Sequence, residues 1–161
     1  MGHAALRRGR WSQPGQLYLV TFATADRRPL FLAGAHAFAA CRAMTAPALW
    51  SHSKLLAWVL MPDHWHGLVA LGEADTLPAC VRRLKGRSAR ELARAHPQLR
   101  PVWARAYHDR ALRAEDDVRA AARYVVANPV RAGLVRRVGD YPFWDSVWVG
   151  GNGARGERGR G

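Results

Sequence analysis

The chain has 161 residues, 49% apolar and 23% charged, with 25 Lys and Arg against 12 Asp and Glu for a formal charge of +13. That length and composition suit one domain with its own core and exclude a wholly disordered chain. The longest apolar stretches run to about ten residues, too short to span a bilayer. No apolar segment with a cleavage site follows the basic start, so no signal peptide is read and a cytoplasmic protein is expected.

The charge points to a polyanionic partner, either nucleic acid or an acidic membrane surface. A membrane role needs a basic amphipathic helix with bulky apolar anchors; the basic stretch at 76–95 offers mostly Leu and Ala. Nucleic acid is the better fit, and all the basic residues except Lys54 and Lys85 are arginines, whose planar fork suits phosphates and base edges. Genome base composition produces the same bias. Cys41 and Cys80 stand far apart with no CxxC, which favours buried free thiols over a disulfide framework or a thiolate zinc site.

Residues 1–15 are predicted as a basic arm carrying Arg7, Arg8 and Arg10 and ending in a turn at Pro14-Gly15. Residues 16–24, rich in β-branched and aromatic types, are predicted as a strand. An Ala-rich helix is predicted over 35–50, with Pro47 as a late breaker. Strands over 54–61 and 64–71 flank a corner at Pro62-Asp63, which predicts an antiparallel hairpin.

Residues 76–95 are predicted helical, with Leu77, Val81, Leu84, Ser88 and Leu92 along one side and Arg83, Arg87, Arg90 and Arg94 along another. That second row is either a solvated face or a stripe that tracks phosphates. A strand over 102–112 follows His96-Pro97. A helix over 114–128 opens with Glu115-Asp116-Asp117, suited to the positive end of its dipole, and stops at or just before Asn128 because Pro129 follows. The Gly- and Arg-rich tail, 150–161, is expected to be disordered. The order of elements predicts an α+β domain over 16–149, with helices flanking an antiparallel sheet.

The sharpest local signal is Pro62-Asp63-His64-Trp65-His66-Gly67. Strand side chains alternate faces, so His64 and His66 share one, about 6–7 Å apart along the backbone. Two imidazoles on one face can bind a divalent metal once a third ligand arrives from another element. Histidine pairs also occur in strands by chance. Tyr124 and Asn128 are four residues apart and stack on one helical face. Asn128 offers a carbonyl oxygen for Mg²⁺ or Mn²⁺, or else caps a helix before a proline. Tyr124 offers a phenol that can attack a phosphodiester, or else packs as an ordinary aromatic. His108-Asp109 can form a dyad or support a sheet edge, Tyr107 and Tyr141 are assigned to packing, and Trp144 and Trp148 are assigned to covering the core.

Five stretches carry a resemblance: Leu17–Phe22, Ala57–Ala70 (AWVLMPDHWHGLVA), Leu84–Arg87, Ala121–Val135 (AARYVVANPVRAGLV) and Asp140–Trp148 (DYPFWDSVW). With them the chain resembles the REP-associated tyrosine transposases, within the single-tyrosine HUH nuclease class, over about residues 8–148. The resemblance implies the ferredoxin-like HUH nuclease fold, with the His64-Trp65-His66 strand central. It implies His64, His66 and Asn128 as ligands of Mg²⁺ or Mn²⁺ and Tyr124 as the nucleophile. The implied reaction is metal-dependent nicking and strand transfer of single-stranded DNA at repetitive extragenic palindrome (REP) hairpins, through a 5′-phosphotyrosine. Arg83, Lys85, Arg87, Arg90 and Arg131 are the candidate DNA contacts, and the protein is expected at the nucleoid as a monomer or homodimer. The competing reading is a hairpin-binding module that has lost turnover. A histidine-triad hydrolase is excluded because its third histidine would fall at Leu68.

Overall fold

Alternating apolar residues set the centre of the molecule. In the computed structural model, which describes residues 16–113 and 117–148, β1 (Gln16–Ala23) turns Leu17 and Leu19 to one face and Val20 and Phe22 to the other. β3 (His64–Leu71) pairs antiparallel with β1 along its whole length and with β2 (Ser53–Leu60) on its other side. Short edge strands complete the sheet, β4 (His108–Ala111) beside β1 and β5 (Trp144–Ser146) beside β2, in the order β4-β1-β3-β2-β5. The α+β class with an antiparallel sheet flanked by helices is therefore observed. The basic arm at 1–15, the acidic pair Glu115-Asp116 and the tail at 150–161 lie outside the described residues.

One face is closed by α1 (Gly34–Met44) and α2 (Leu77–Ala95). α2 opens with the Thr76 hydroxyl accepting from the Ala79 N–H and buries Leu77, Val81, Leu84, Ser88 and Leu92, the side foreseen from the spacing. Its core is aromatic: Trp65 is fully buried and stacks on Phe22 at 5.1 Å, and Phe22 meets Trp103 edge-on at 4.8 Å. Such pairs contribute about 0.5–1.5 kcal/mol each beyond the area they bury. Gly67 lies beneath the Trp65 indole, where an added Cβ would come within 2.2 Å of the ring. The other face packs Leu17, Leu19, Ala57, Val59, Leu68 and Ala70 against α3 (Val118–Val126), which is capped by Asp117. Among the described residues no helix is long and apolar enough to cross a membrane.

Four expectations change. The first helix ends at Met44 rather than 50, because Pro47 holds Ala46 extended and only a 3-10 turn (Pro47–Trp50) follows. The strand expected over 102–112 shrinks to 108–111, since the carbonyls of Ala104, Arg105 and Ala106 accept hydrogen bonds from Lys85 Nζ rather than from a neighbouring strand. Helix α3 stops at Val126, yet the chain re-enters a single helical turn, α4 (Asn128–Arg131), with Pro129 in its first turn where no N–H is needed. Gly133, at φ +75°, closes that turn: its N–H reaches Val130 O and the Leu134 N–H reaches Pro129 O. Finally, Trp144, expected to cover the core, also opens the unforeseen strand β5.

Candidate active site

The register of the sheet places His64 opposite Ala23, and His66 between Thr21 and Val59, on the face that α3 covers. Trp65, between them, is locked into the opposite core, so the two imidazoles project from a strand that cannot roll. They stand beyond the Leu68 and Ala70 end of that face, where packing gives way to a half-buried cleft.

The turn before β3 orients His64. The Asp63 carbonyl accepts from the Thr24 N–H at 2.9 Å and the Pro62 carbonyl from the Phe31 N–H at 3.1 Å. Asp63 Oδ1 lies 2.9 Å from His64 Nδ1, and Asp63 Oδ2 lies 3.3 Å from Arg27 Nε. The carboxylate calls for a proton on Nδ1, which leaves the Nε2 lone pair aimed into the cleft. Asp26 and Arg27 adopt left-handed backbone, φ 56° and 55°, a conformation that costs non-glycine residues about 1–3 kcal/mol each. The loop that reaches Asp63 is thus held by its surroundings. Sequence reading missed Asp63 as an orienting group. In a continuous strand neighbouring side chains point to opposite faces, and only its place in the turn lets Asp63 reach His64.

From α4, the Asn128 amide nitrogen lies 3.4 Å from His64 Nε2 and 3.5 Å from His66 Nδ1. A half-turn of the amide puts Oδ1 at the same point. Burial, His64 and Arg131 together hold the His66 imidazole down to about 4, so at neutral pH the ring is uncharged and one of its nitrogens keeps a lone pair. Two imidazole nitrogens and an amide oxygen are a donor set suited to a divalent cation. Among the described residues no group of three His, Cys, Asp or Glu could hold a metal; the third donor here is an amide. The Tyr124 ring stands edge-on to His66 at 6.1 Å between centroids and is 54% exposed. The break at Ala127 does not separate the candidates: His64 and His66 from β3, Tyr124 from α3 and Asn128 from α4 come together.

The candidate DNA contacts divide. Arg83 donates to both carboxylate oxygens of Asp75, at 2.9 and 2.6 Å, and Ser53 donates to the same group at 2.6 Å. These bonds hold the Asp75 carboxyl down to about 2, and Arg83 is raised in turn. Lys85 is spent on three carbonyls and is lowered by burial. Arg87 and Arg90 are exposed, on the helix behind the sheet, while Arg94 meets Glu91 at 3.6 Å. Arg131 lies at the cleft, over the Tyr124 ring. His108 pairs with Thr21, the strand neighbour of His66, and so stands on the cleft side of an edge strand. Tyr107 and Tyr141 pack as expected, the Tyr141 hydroxyl donating to Leu60 O at 2.6 Å. Both cysteines are free thiols, Cys80 buried and Cys41 partly so.

Comparison with known proteins meets this geometry. A REP-associated tyrosine transposase of Escherichia coli (strain K12) is 31% identical over 91 residues, which are 56% of this chain and 52% of that protein. The chain thus spans about half the length of this curated relative. A solved REP-associated tyrosine transposase bound to a REP hairpin has a TM-score of 0.64 at 25% identity, over 81% of this chain and 76% of that one. The family model described as "Transposase IS200 like" matches residues 14–128, a span that takes in both histidines, Tyr124 and Asn128. The chain belongs to the IS200-like transposase family.

Proposed function

We propose that the protein is a DNA strand-transferase that nicks single-stranded DNA at the foot of REP hairpins, with Tyr124 as nucleophile. The observation that carries this reading is the convergence of His64 Nε2, His66 Nδ1 and the Asn128 amide beside an exposed tyrosine on the adjoining helix. That the solved neighbour is bound to a REP hairpin supports the choice of substrate.

His64, His66 and Asn128 would hold Mg²⁺ or Mn²⁺. When bound, such a cation neutralises charge on the scissile phosphate. Asp63 keeps His64 in the tautomer that offers Nε2. The Tyr124 phenolic oxygen, having released its proton to water, forms a bond to phosphorus as the bond to the 3′ oxygen breaks; that oxygen takes up a proton from water, leaving a free 3′-OH and a 5′-phosphotyrosine. Because the phosphotyrosine is itself a diester, a later 3′-OH reverses the step and joins strands. All four groups come from one chain, and the protein would act as a monomer or homodimer. Arg87 and Arg90 would contact phosphate away from the cleft, and the work would be done in the cytoplasm, at the nucleoid.

The test is a labelled single-stranded hairpin oligonucleotide incubated with Mn²⁺ or with EDTA, then run on a denaturing gel. A metal-dependent, SDS-stable adduct that disappears in Tyr124→Phe is expected. An adduct that persists in that variant moves the nucleophile elsewhere. Tight binding with no adduct, across several hairpins and both metals, makes the protein a binding module.

A further inference from the structure

The break between α3 and α4 leaves the Tyr124 carbonyl among those at the end of a helix with no intrahelical partner. Arg131, seven residues on, fills the gap: its Nη1 donates to that carbonyl at 2.7 Å. The same guanidinium lies 3.8 Å from the centroid of the Tyr124 ring. One side chain therefore grips both the backbone and the π face of one residue, while His66 meets the ring edge-on. An exposed tyrosine is otherwise free to change rotamer, and in-line attack tolerates little of that: a misplacement near 1 Å costs about 10²-fold in rate.

We propose that Arg131 is the positioning residue of Tyr124. It caps the nucleophile's carbonyl and clamps its ring beside the histidine pair, and it does not serve chiefly as a phosphate contact. The assignment rests on Tyr124 being the nucleophile. It also gives the one-turn helix a purpose, since the turn that carries Asn128 delivers Arg131 back over the tyrosine.

Two measurements on the full chain test it. In the first, single-turnover adduct formation is followed at saturating hairpin DNA, alongside DNA affinity across a salt series. Arg131→Met is expected to slow the saturated rate by about 10²-fold while affinity stays within about threefold and the salt slope is unchanged, and Arg131→Lys, which keeps a cation and a donor, recovers part of the rate. An unchanged saturated rate overturns the proposal. So does a lost phosphate's worth of salt slope, near 0.7 for a single strand, with the rate intact, which makes Arg131 a phosphate contact. In the second, 3-fluorotyrosine at position 124 is read by fluorine NMR without DNA or metal. The resonance is expected to move toward that of a free tyrosine in Arg131→Met and to stay near its original position in Arg131→Lys; no change in the Met variant overturns the clamp. Arg131→Gln carries both tests if the Met variant does not fold. If the unsubstituted chain forms no Tyr124 adduct, the nucleophile reading fails and positioning fails with it. An adduct that ignores Arg131 sinks only the positioning.

Discussion

The two faces of the sheet share the same strands and have opposite fates. Behind it, Trp65, Phe22 and Trp103 interlock under α1 and α2, and even the polar Ser88 is satisfied, accepting from Trp103 Nε1 at 2.9 Å while donating to Leu84 O at 2.7 Å. In front, small aliphatic residues pack under α3 at one end, and at the other two imidazoles, an amide and a phenol are left half open. Because β3 alternates, each histidine is flanked by a residue of the closed face. The lesson is a division of labour within one strand: the rear core supplies rigidity that the front face cannot afford.

That division can be broken from the rear. Trp65→Ala removes a fully buried indole and is expected to cost about 3–5 kcal/mol, measured by urea unfolding, with hairpin binding and any metal affinity falling together. Gly67→Ala drives a methyl into the same indole and is expected to cost up to about 3 kcal/mol in the same assay. A urea midpoint unchanged from that of the parent would mean the ring has room to move.

Acid gives an intermediate effect at the rear. The Asp75 carboxyl is nearly buried and lies below its ordinary value, at about 2, so its contribution is complete above roughly pH 4 and is lost as pH falls from there toward 2. The loss amounts to about 2 kcal/mol, and Asp75→Asn is expected to flatten the stability profile over that window. The same acid loss in the Asn variant would place the responsible group elsewhere.

The front face should yield the smallest stability changes and the sharpest functional ones. His64→Ala and His66→Ala are expected to shift stability by about 1 kcal/mol or less while abolishing metal-dependent cleavage; full activity in either would remove it from the proposed metal site. Asp63→Asn is expected to lower Mn²⁺ affinity by about 10–100-fold, read by titration calorimetry, with hairpin affinity unchanged. Equal metal affinity would reduce Asp63 to a turn residue.

Much of the frame was legible because its signals are local. β-Branched and aromatic residue types marked β1, Pro62-Asp63 marked the hairpin that places β3, and the four-residue step from Tyr124 to Asn128 brought two site candidates together across a helix break. The strand β5 was not legible, since three residues show no period and only pairing with β2 makes Trp144–Ser146 a strand. Nor could a row of arginines at helical spacing say which is committed. Arg83 depends on Asp75, eight residues upstream, and Lys85 on carbonyls some twenty residues downstream.

By itself, then, the sequence determined the sheet-and-helix class, the basic character and the residue types at the cleft, because period and composition are properties of short segments. Only the tertiary structure decided which face the cleft occupies, which basic side chains are already engaged, and that Asp63 and Arg131 hold His64 and Tyr124. Those are matters of direction and distance between side chains, set by turns and helix breaks whose geometry depends on what packs against them.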